Sequence, residues 1–173
     1  MNVEVLPIPY GEMQVLRNLV KLYCHEWSQY NGIDMDDKGE YAFEKRLDVF
    51  WNKARHFAFY IKAEGKLAGF ALLDDDFDYV EDGNHAMSEF FVLHKYRRDG
   101  IGSAAAKEIF RMFPGKWEIK MHPRNTASIK FWRNVVGELS PGGYTFIEQC
   151  EKARYGDGNL GSIIEFESGL GRP

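Results

Sequence analysis

The feature that most constrains the fold is the stretch of residues 86–113, in which an apolar strand runs into a basic turn and then directly into a helix. The turn carries two glycines with the spacing Gly100-x-Gly102, and apolar residues recur at helical spacing from residue 101 to residue 112. Glycines let a ligand approach the main chain, and the free N–H groups of a helix N-terminus favour negative charge. The stretch therefore predicts a strand–turn–helix unit that seats an anion.

Three cations, Lys95, Arg97 and Arg98, stand beside this turn, and arginine forks match phosphate oxygens well. The turn is not a Walker loop, because no Gly-Lys-Ser/Thr follows it. It also departs from the dinucleotide fingerprint, because Ala105 holds the third glycine position. A diphosphate is the ligand that this pattern indicates. The alternative is a turn whose glycines serve only to reverse the chain.

The segment Arg97-Arg98-Asp99-Gly100-Ile101-Gly102 resembles the Q/R-x-x-G-x-G/A signature of the GNAT superfamily of acetyl-CoA-dependent N-acetyltransferases. Upstream, Phe91–Tyr96 is similar to the family's fourth strand and its approach to the signature. Downstream, Asn125–Gly137 is similar to the family's N-x-x-A-x-x-F-Y…G helix. The resemblance is carried by residues 86–137 and extends over 57–150.

This resemblance implies an α/β (α+β) GNAT fold, with a central mixed, mostly antiparallel sheet of about seven strands flanked by about four helices. The periodicity gives the order β-α-α-β-β-β-α-β-α-β-β, which agrees with that fold. We expect Gly137 to end the last helix and Pro141-Gly142-Gly143 to form a turn. A length of 173 residues fits a single domain over 1–173.

Composition and charge exclude several classes of function. The net charge of −4 argues against a general nucleic-acid surface. No apolar run approaches the ~20 residues that span a bilayer, and the N-terminus lacks a signal sequence, so we expect a cytoplasmic protein without membrane contact.

No metal site is expected. The acidic loop that begins at Asp34 fails as a calcium loop, because Lys38 and Lys45 stand where oxygen ligands are required. The acidic run at residues 74–78 is typical of a solvated connector.

The resemblance implies acetyl-CoA as cofactor and assigns its contacts residue by residue. The pantetheine arm would pair with main chain around Val92 and Leu93, and the diphosphate would lie on the N–H groups of residues 97–103. The full set of implied cofactor residues is Phe91, Val92, Leu93, Arg97, Arg98, Asp99, Gly100, Ile101, Gly102, Ser103, Asn125, Ser128 and Phe131.

Glu89 is the candidate catalytic base. On an alternating strand, Met87, Glu89, Phe91 and Leu93 share one face, and a carboxylate among apolar neighbours should have a raised pKa. Such a group suits the removal of a proton from an amine. The alternative is a glutamate at the solvated edge of the strand or paired with a cation.

One residue departs from the family pattern. Trp132 stands where many members have a tyrosine that protonates the leaving thiolate, and an indole N–H is not a useful acid at neutral pH. Either Tyr96 or Tyr144 supplies the proton, or the thiolate leaves unprotonated, since thiols have a pKa of about 8.5.

The acceptor is expected to be a small cationic amine. Trp27 and Tyr30 end an amphipathic helix, and Asp34 and Asp36 follow in an acidic loop that would attract a positive charge. The alternatives are a CoA-binding sensor or regulatory module without turnover, and an N-acetyltransferase of proteins or peptides. The resemblance also allows a homodimer.

Overall fold

Seven strands form one sheet in the spatial order β1-β2-β3-β4-β5-β7-β6, and four α-helices accompany it in the computed structural model, which describes residues 2–140 and 143–169 apart from the side chains of residues 44 and 45. The strands are β1 Val3–Pro7, β2 Phe57–Ala63, β3 Lys66–Asp74, β4 His85–Val92, β5 Gly115–Met121, β6 Thr145–Arg154 and β7 Leu160–Ser168. The helices are α1 Met13–Asn31, α2 Val49–Asn52, α3 Ile101–Met112 and α4 Thr126–Leu139. The predicted element order and fold class are confirmed.

The sheet is antiparallel at every pairing except that of β4 with β5, which run parallel. In the described part of the chain this parallel ladder is short, running from His85↔Trp117 to Met87↔Ile119. Beyond Met87 the two strands separate, although β4 continues for five more residues, to Val92. The separation leaves one side of the second half of β4 without a strand partner.

A β-bulge in β4 changes which face each residue occupies. Leu72 pairs with Glu89 and the adjacent Leu73 pairs with Met87, so Ser88 is an extra residue in the ladder. The prediction that Met87 and Glu89 share a face is therefore wrong. Met87 joins the apolar cluster that contains Val92, whereas Glu89 reaches the opposite face.

Two apolar clusters lie on the two faces of the sheet. The first packs α3 and α4 onto the sheet through Ile109, Phe110 and Val136. The second packs α1 and α2 onto the other face through Leu16, Val20 and Phe50, among others. The chain is thus a three-layer α/β/α sandwich, and no helix in its described residues is both long and apolar enough to cross a membrane.

The last helix does not end at Gly137 as predicted, because α4 continues to Leu139. A glycine inside a helix costs about 1 kcal/mol relative to alanine, and burial of Trp132, Val135 and Val136 offsets that cost. Two other sequence expectations lie outside the described residues: the start of the turn at Pro141-Gly142-Gly143, and the Lys45 side chain.

Glu118 on β5 fixes the segment that leads into β4. Its buried carboxylate accepts hydrogen bonds from the main-chain N–H groups of Asp78, Tyr79 and Val80, at 2.9, 2.9 and 2.8 Å. A buried carboxylate with three such donors is satisfied, and its removal would leave those donors without an acceptor. Glu118 therefore holds the β3–β4 connection against the sheet.

We expect Glu118→Ala to lower the free energy of unfolding by about 3 kcal/mol, because it removes the acceptor of three main-chain donors, of which that of Val80 is buried and those of Asp78 and Tyr79 are partly buried. Urea denaturation followed by circular dichroism measures this loss. The exposed Glu167 on β7 supplies the control, and Glu167→Ala should change stability by no more than about 0.5 kcal/mol. Equal losses in the two variants would contradict the assigned role of Glu118.

Candidate active site

The glycine turn before α3 has the backbone that the sequence predicted for an anion seat. Gly100 caps the helix with φ +79°, a left-handed conformation that glycine adopts at no steric cost, and Arg98 is also left-handed, with φ +71°. The cap residue makes no side-chain hydrogen bond to the first helical turn. Among the described residues, the N-terminal N–H groups of α3 are therefore open to an anion.

Gly102 lies on α3 beside residues of β4 and α4. A Cβ atom at this position would lie 3.4 Å from the Phe131 ring and 3.5 Å from Cγ2 of Val92. The glycine thus keeps a narrow space free between the helix, the strand and the ring. This space adjoins the separated part of β4.

The main chain of β4 presents polar groups to the gap between β4 and β5. Leu93 N–H donates to Ala68 O on the β3 side at 2.8 Å, so its amide is already paired. Because main-chain groups alternate in direction along a strand, those of Val92 and Phe90 face the gap. An extended ligand in the gap could pair with these two residues as an added strand would.

Arg97 covers part of this edge. Its Nε donates to Val92 O at 2.7 Å, its Nη2 donates to Glu26 on α1 at 2.7 Å, and its guanidinium lies 5.5 Å from the centre of the Phe91 ring. His94 contacts the same Glu26 carboxylate at 2.8 Å. Arg97 therefore ties the basic turn to α1 and already donates one hydrogen bond to Val92 O.

A cavity of about 220 Å³ opens where β4 and β5 separate. Its walls come from both layers of helices: α1 supplies Tyr23 and Trp27, and α4 supplies Asn125, Ser128 and Trp132. The remaining lining residues belong to β4, β5 and the segments that follow β5 and β6: Met87, Ser88, Glu89, Phe90, Ile119, Lys120, Met121, His122 and Tyr155. The gap thus allows ligands on the two faces of the sheet to meet.

Glu89 lies in this cavity with a proton affinity suited to acid–base work. Burial raises its pKa to about 7, with a smaller rise from the negative charge of Asp74, while the hydrogen bond from the Tyr23 hydroxyl acts in the opposite direction. Asp74 is itself buried and bonded to Ser88, so the predicted acidic connector is not solvated throughout. Near neutral pH, the Glu89 carboxyl group is therefore present in both its charged and its protonated form.

Two phenols, Tyr23 and Tyr155, face the cavity, and the sequence analysis assigned neither to it. Burial, followed by the charge of Glu89, raises the pKa of both groups above the usual value, so both keep their protons at neutral pH. Trp132 is 4% exposed and packs in the first apolar cluster as well as lining the cavity. Neither Tyr96 nor Tyr144, the two predicted proton donors, lines it.

The residues predicted on α4 lie beside the gap. Asn125 caps the helix by accepting from Ser128 N–H at 3.0 Å, which leaves its amide NH₂ as a donor. The Phe131 ring stacks on Phe90 with a centroid distance of 5.8 Å. The α4 positions therefore face the separated part of β4, as expected.

The four predicted acceptor residues divide into two pairs. Trp27 lines the cavity, and Tyr30 contacts Trp27 and His122 through its ring, at 5.9 and 6.4 Å between centroids. Asp34 and Asp36 do not line the cavity, and Asp36 accepts from the N–H groups of Lys38 and Glu40 within its own loop. The acidic loop therefore contributes no carboxylate to the cavity wall.

Sequence reasoning missed a pair that supports the cavity from the β6–β7 connection. His122, which has no exposed surface, contacts Asp157 at 2.9 Å through Nε2, and its Nδ1 accepts from Arg124 N–H at 3.3 Å. These contacts place the proton of neutral His122 on Nε2. The contact spans 35 positions in the sequence, and no local spacing predicts it. Tyr23, by contrast, stands four residues before Trp27 on one helix face, a signal that was available.

Comparison with known proteins agrees with this geometry. The model of the acetyltransferase (GNAT) family matches residues 17–137, which is more than half of the chain. A search of curated proteins finds no significant match.

Solved structures share the fold at low identity. They include an acetyltransferase from Thermus thermophilus, with a TM-score of 0.66, 13% identity and coverage of 96% of this chain and 97% of that one. PaiA N-acetyltransferase from Thermoplasma acidophilum, solved with coenzyme A, gives a TM-score of 0.63, 16% identity, and coverage of 96% and 99%. Ribosomal-protein-S18-alanine N-acetyltransferase from Escherichia coli gives a TM-score of 0.61 and 14% identity, with coverage of 99% of this chain and 97% of that one.

The open N-terminus of α3, which follows the glycine turn, fits the diphosphate of coenzyme A. The edge of β4 that faces the gap fits the amide groups of its pantetheine arm. The family match covers both features, along with Glu89 and the start of α4. The chain therefore belongs to the acetyltransferase (GNAT) family, whose members use acetyl-CoA.

Proposed function

We propose that this protein transfers an acetyl group from acetyl-CoA to a small primary amine by direct attack in a ternary complex, with Glu89 as the general base. The observation that carries the proposal is the position of Glu89. A carboxylate with a pKa of about 7 lies in the cavity where the strand gap opens to both layers of helices. A base with a pKa near the working pH is the most effective at moving a proton.

The coenzyme fits along the gap with its diphosphate at the N-terminus of α3. Gly100, Gly102 and Ser103 offer main-chain N–H groups there, and Arg98 adds positive charge. The main chain of Val92 and Phe90 would pair with the pantetheine arm, and the Asn125 amide would donate to it. When bound, the coenzyme supplies the acetyl group as an activated thioester.

Deprotonation of the amine is the task for which the site needs a base. An alkylamine with a pKa near 10 is neutral in only about one molecule per thousand at pH 7, and only the neutral form attacks. Glu89 accepts the proton of the amine, directly or through water, and becomes neutral. Before that transfer, the Tyr23 hydroxyl donates a hydrogen bond to the charged carboxylate and orients it. A main-chain N–H of β4 in the gap would polarise the thioester oxygen.

Tyr155 is our candidate for the group that donates a hydrogen bond to the departing thiolate. It lines the same cavity as Ser128, and burial raises its pKa above the usual value, so the phenol keeps its proton while the thiolate leaves as the anion. Trp132, at the family's tyrosine position, packs in the core instead and has no ionisable group. Because Trp132 stands at the position of the family's tyrosine, a phenol from another part of the chain, Tyr155, takes that place in the proposed reaction.

A small amine fits the cavity better than a long peptide segment, because the enclosed volume is only about 220 Å³. The related Escherichia coli structure is that of an enzyme acting on a ribosomal protein, which keeps peptide acceptors as the competing candidate. Acetylation of peptides with no turnover of small amines would favour that candidate.

The rate of acetylation should rise with pH through about 7, because Glu89 acts only in its charged form. Tyr23→Phe removes a hydrogen bond that lowers the pKa of Glu89, so the rising limb should move to higher pH. Asp74→Asn removes a negative charge that raises this pKa, so the limb should move to lower pH. A pH profile of thiol release measures both shifts.

Two further variants control this experiment. Glu89→Gln should lower kcat by about 10²- to 10⁴-fold and abolish the limb near pH 7. Tyr30→Phe, which alters a phenol that does not contact Glu89, should leave the limb in place. Movement of the limb in the same direction for Tyr23→Phe and Asp74→Asn would refute the assignment of Glu89 as the base.

Gly102→Ala should fold normally, because alanine favours a helix by up to about 1 kcal/mol and the new Cβ has 3.4 Å to its nearest neighbour. It should bind acetyl-CoA nearly as well as the unchanged protein, because the family signature admits alanine at this position. Gly102→Val should weaken binding by at least about tenfold, since its larger side chain fills the space beside Val92 and Phe131. Isothermal titration calorimetry measures the affinity. Gly137→Val in α4 is the matched control and should bind normally, and unchanged binding in Gly102→Val would exclude this route for the coenzyme.

A further inference from the structure

The wall of the cavity on the α1 side is built of aromatic rings. Tyr23, Trp27, His122 and Tyr155, which we call the ring wall, contact one another with centroid distances of 6.1 Å for Tyr23–Trp27, 5.6 Å for Trp27–His122 and 4.8 Å for His122–Tyr155. All four residues line the cavity. The ring wall is therefore a continuous apolar surface next to Glu89.

The ring wall is held rigid from behind. Asp157 contacts the His122 ring nitrogen at 2.9 Å and fixes the ring. The hydrogen bond from the Asn159 main-chain N–H, with smaller contributions from the Asn159 side-chain amide and His122, lowers the pKa of Asp157 to about 2, so this support stays charged. Gly161 leaves room for Tyr155, since a Cβ there would lie 3.0 Å from the Tyr155 ring and 2.8 Å from Ala153 O. Preorganised rings lose little entropy when they bind a flat group.

The charges around the cavity do not suit an acceptor with several positive charges. Among the described residues that line it, Glu89 is the one carboxylate, and the base role uses it. Lys120 also lines the cavity, and its Nζ lies 4.5 Å from the centre of the Tyr155 ring, where a ligand cation would otherwise bind. Asp78 balances Lys120 at 3.0 Å but does not itself line the cavity.

We propose that the acceptor is a primary amine with a single positive charge and one aromatic or similarly flat apolar group, which packs against the ring wall while the amine faces Glu89. The ring wall gives such a group a surface of contiguous rings beside the Glu89 carboxylate. This inference rests on the proposed acetyltransferase function and narrows its acceptor. It narrows the small cationic amine that the acidic loop suggested to one with a single charge and a flat apolar group.

The test compares phenethylamine, propylamine, spermidine and a peptide with a free N-terminus as acceptors for the full chain with acetyl-CoA. Phenethylamine and propylamine are both alkylamines, so their difference reports on the ring. We expect kcat/KM for phenethylamine to exceed that for propylamine by about 10- to 200-fold, the range for an apolar group in a fitted pocket. Spermidine should fall at least about tenfold below phenethylamine.

Variants locate the source of this preference. Trp27→Ala should reduce the phenethylamine-to-propylamine ratio to a few-fold, and Trp27→Leu, which keeps apolar volume, should reduce it less. Trp51→Leu is the matched control and should keep the full phenethylamine-to-propylamine ratio. Trp51 is a partly buried tryptophan that does not line the cavity, and its indole N–H donates to Ile8 O at 2.7 Å.

The outcomes separate this inference from the function beneath it. Equal use of phenethylamine and propylamine, preference for spermidine, or turnover of the peptide alone would overturn the aromatic acceptor and leave acetyl transfer standing. A full preference that survives Trp27→Ala would also overturn it. Thiol release with none of the four acceptors, from a protein that binds acetyl-CoA, would instead count against the proposed function.

Discussion

The extra residue at Ser88 and the separation of β4 from β5 just beyond it are the constraint on which the site depends. The bulge rotates the rest of β4, so that Glu89 faces α1 while Met87 stays with the opposite core. Because the parallel ladder ends at Met87↔Ile119, the main chain of the following residues keeps hydrogen-bonding groups that no neighbouring strand uses. One irregular point in the ladder thus sets both the position of Glu89, the proposed base, and the edge of β4 that faces the gap.

Opening a sheet at its centre costs hydrogen bonds and exposes apolar side chains, so the surrounding structure has to stabilise the gap. Glu118 anchors the connection that enters β4, and Arg97 ties the far end of the exposed segment to Glu26 on α1. His122 and Asp157 brace the side of β5. These contacts stabilise the edges of the gap, and the burial of Glu89 within it keeps the pKa of that carboxyl group high.

The same arrangement supports the proposal that one cavity serves two ligands. The N-terminus of α3 and the first turn of α4 lie on one face of the sheet, and Tyr23 and Trp27 lie on the other, so the proposed positions of the coenzyme and the acceptor are on different sides. Glu89 faces the side that we propose for the acceptor, because the bulge turns it there.

The sequence by itself determined the element order, the glycine turn before α3 and the helix that follows Asn125, because each depends on local spacing: glycines before a helix and periodic apolar residues. It also identified Glu89, although the argument from simple alternation placed Met87 beside it. Only the tertiary structure decided the bulge, the Tyr23–Glu89 bond, the His122–Asp157 support and the exclusion of Asp34 from the cavity wall. These features depend on which distant segments meet, and strand register and loop contacts across 35 or 66 positions leave no periodic signal in the chain.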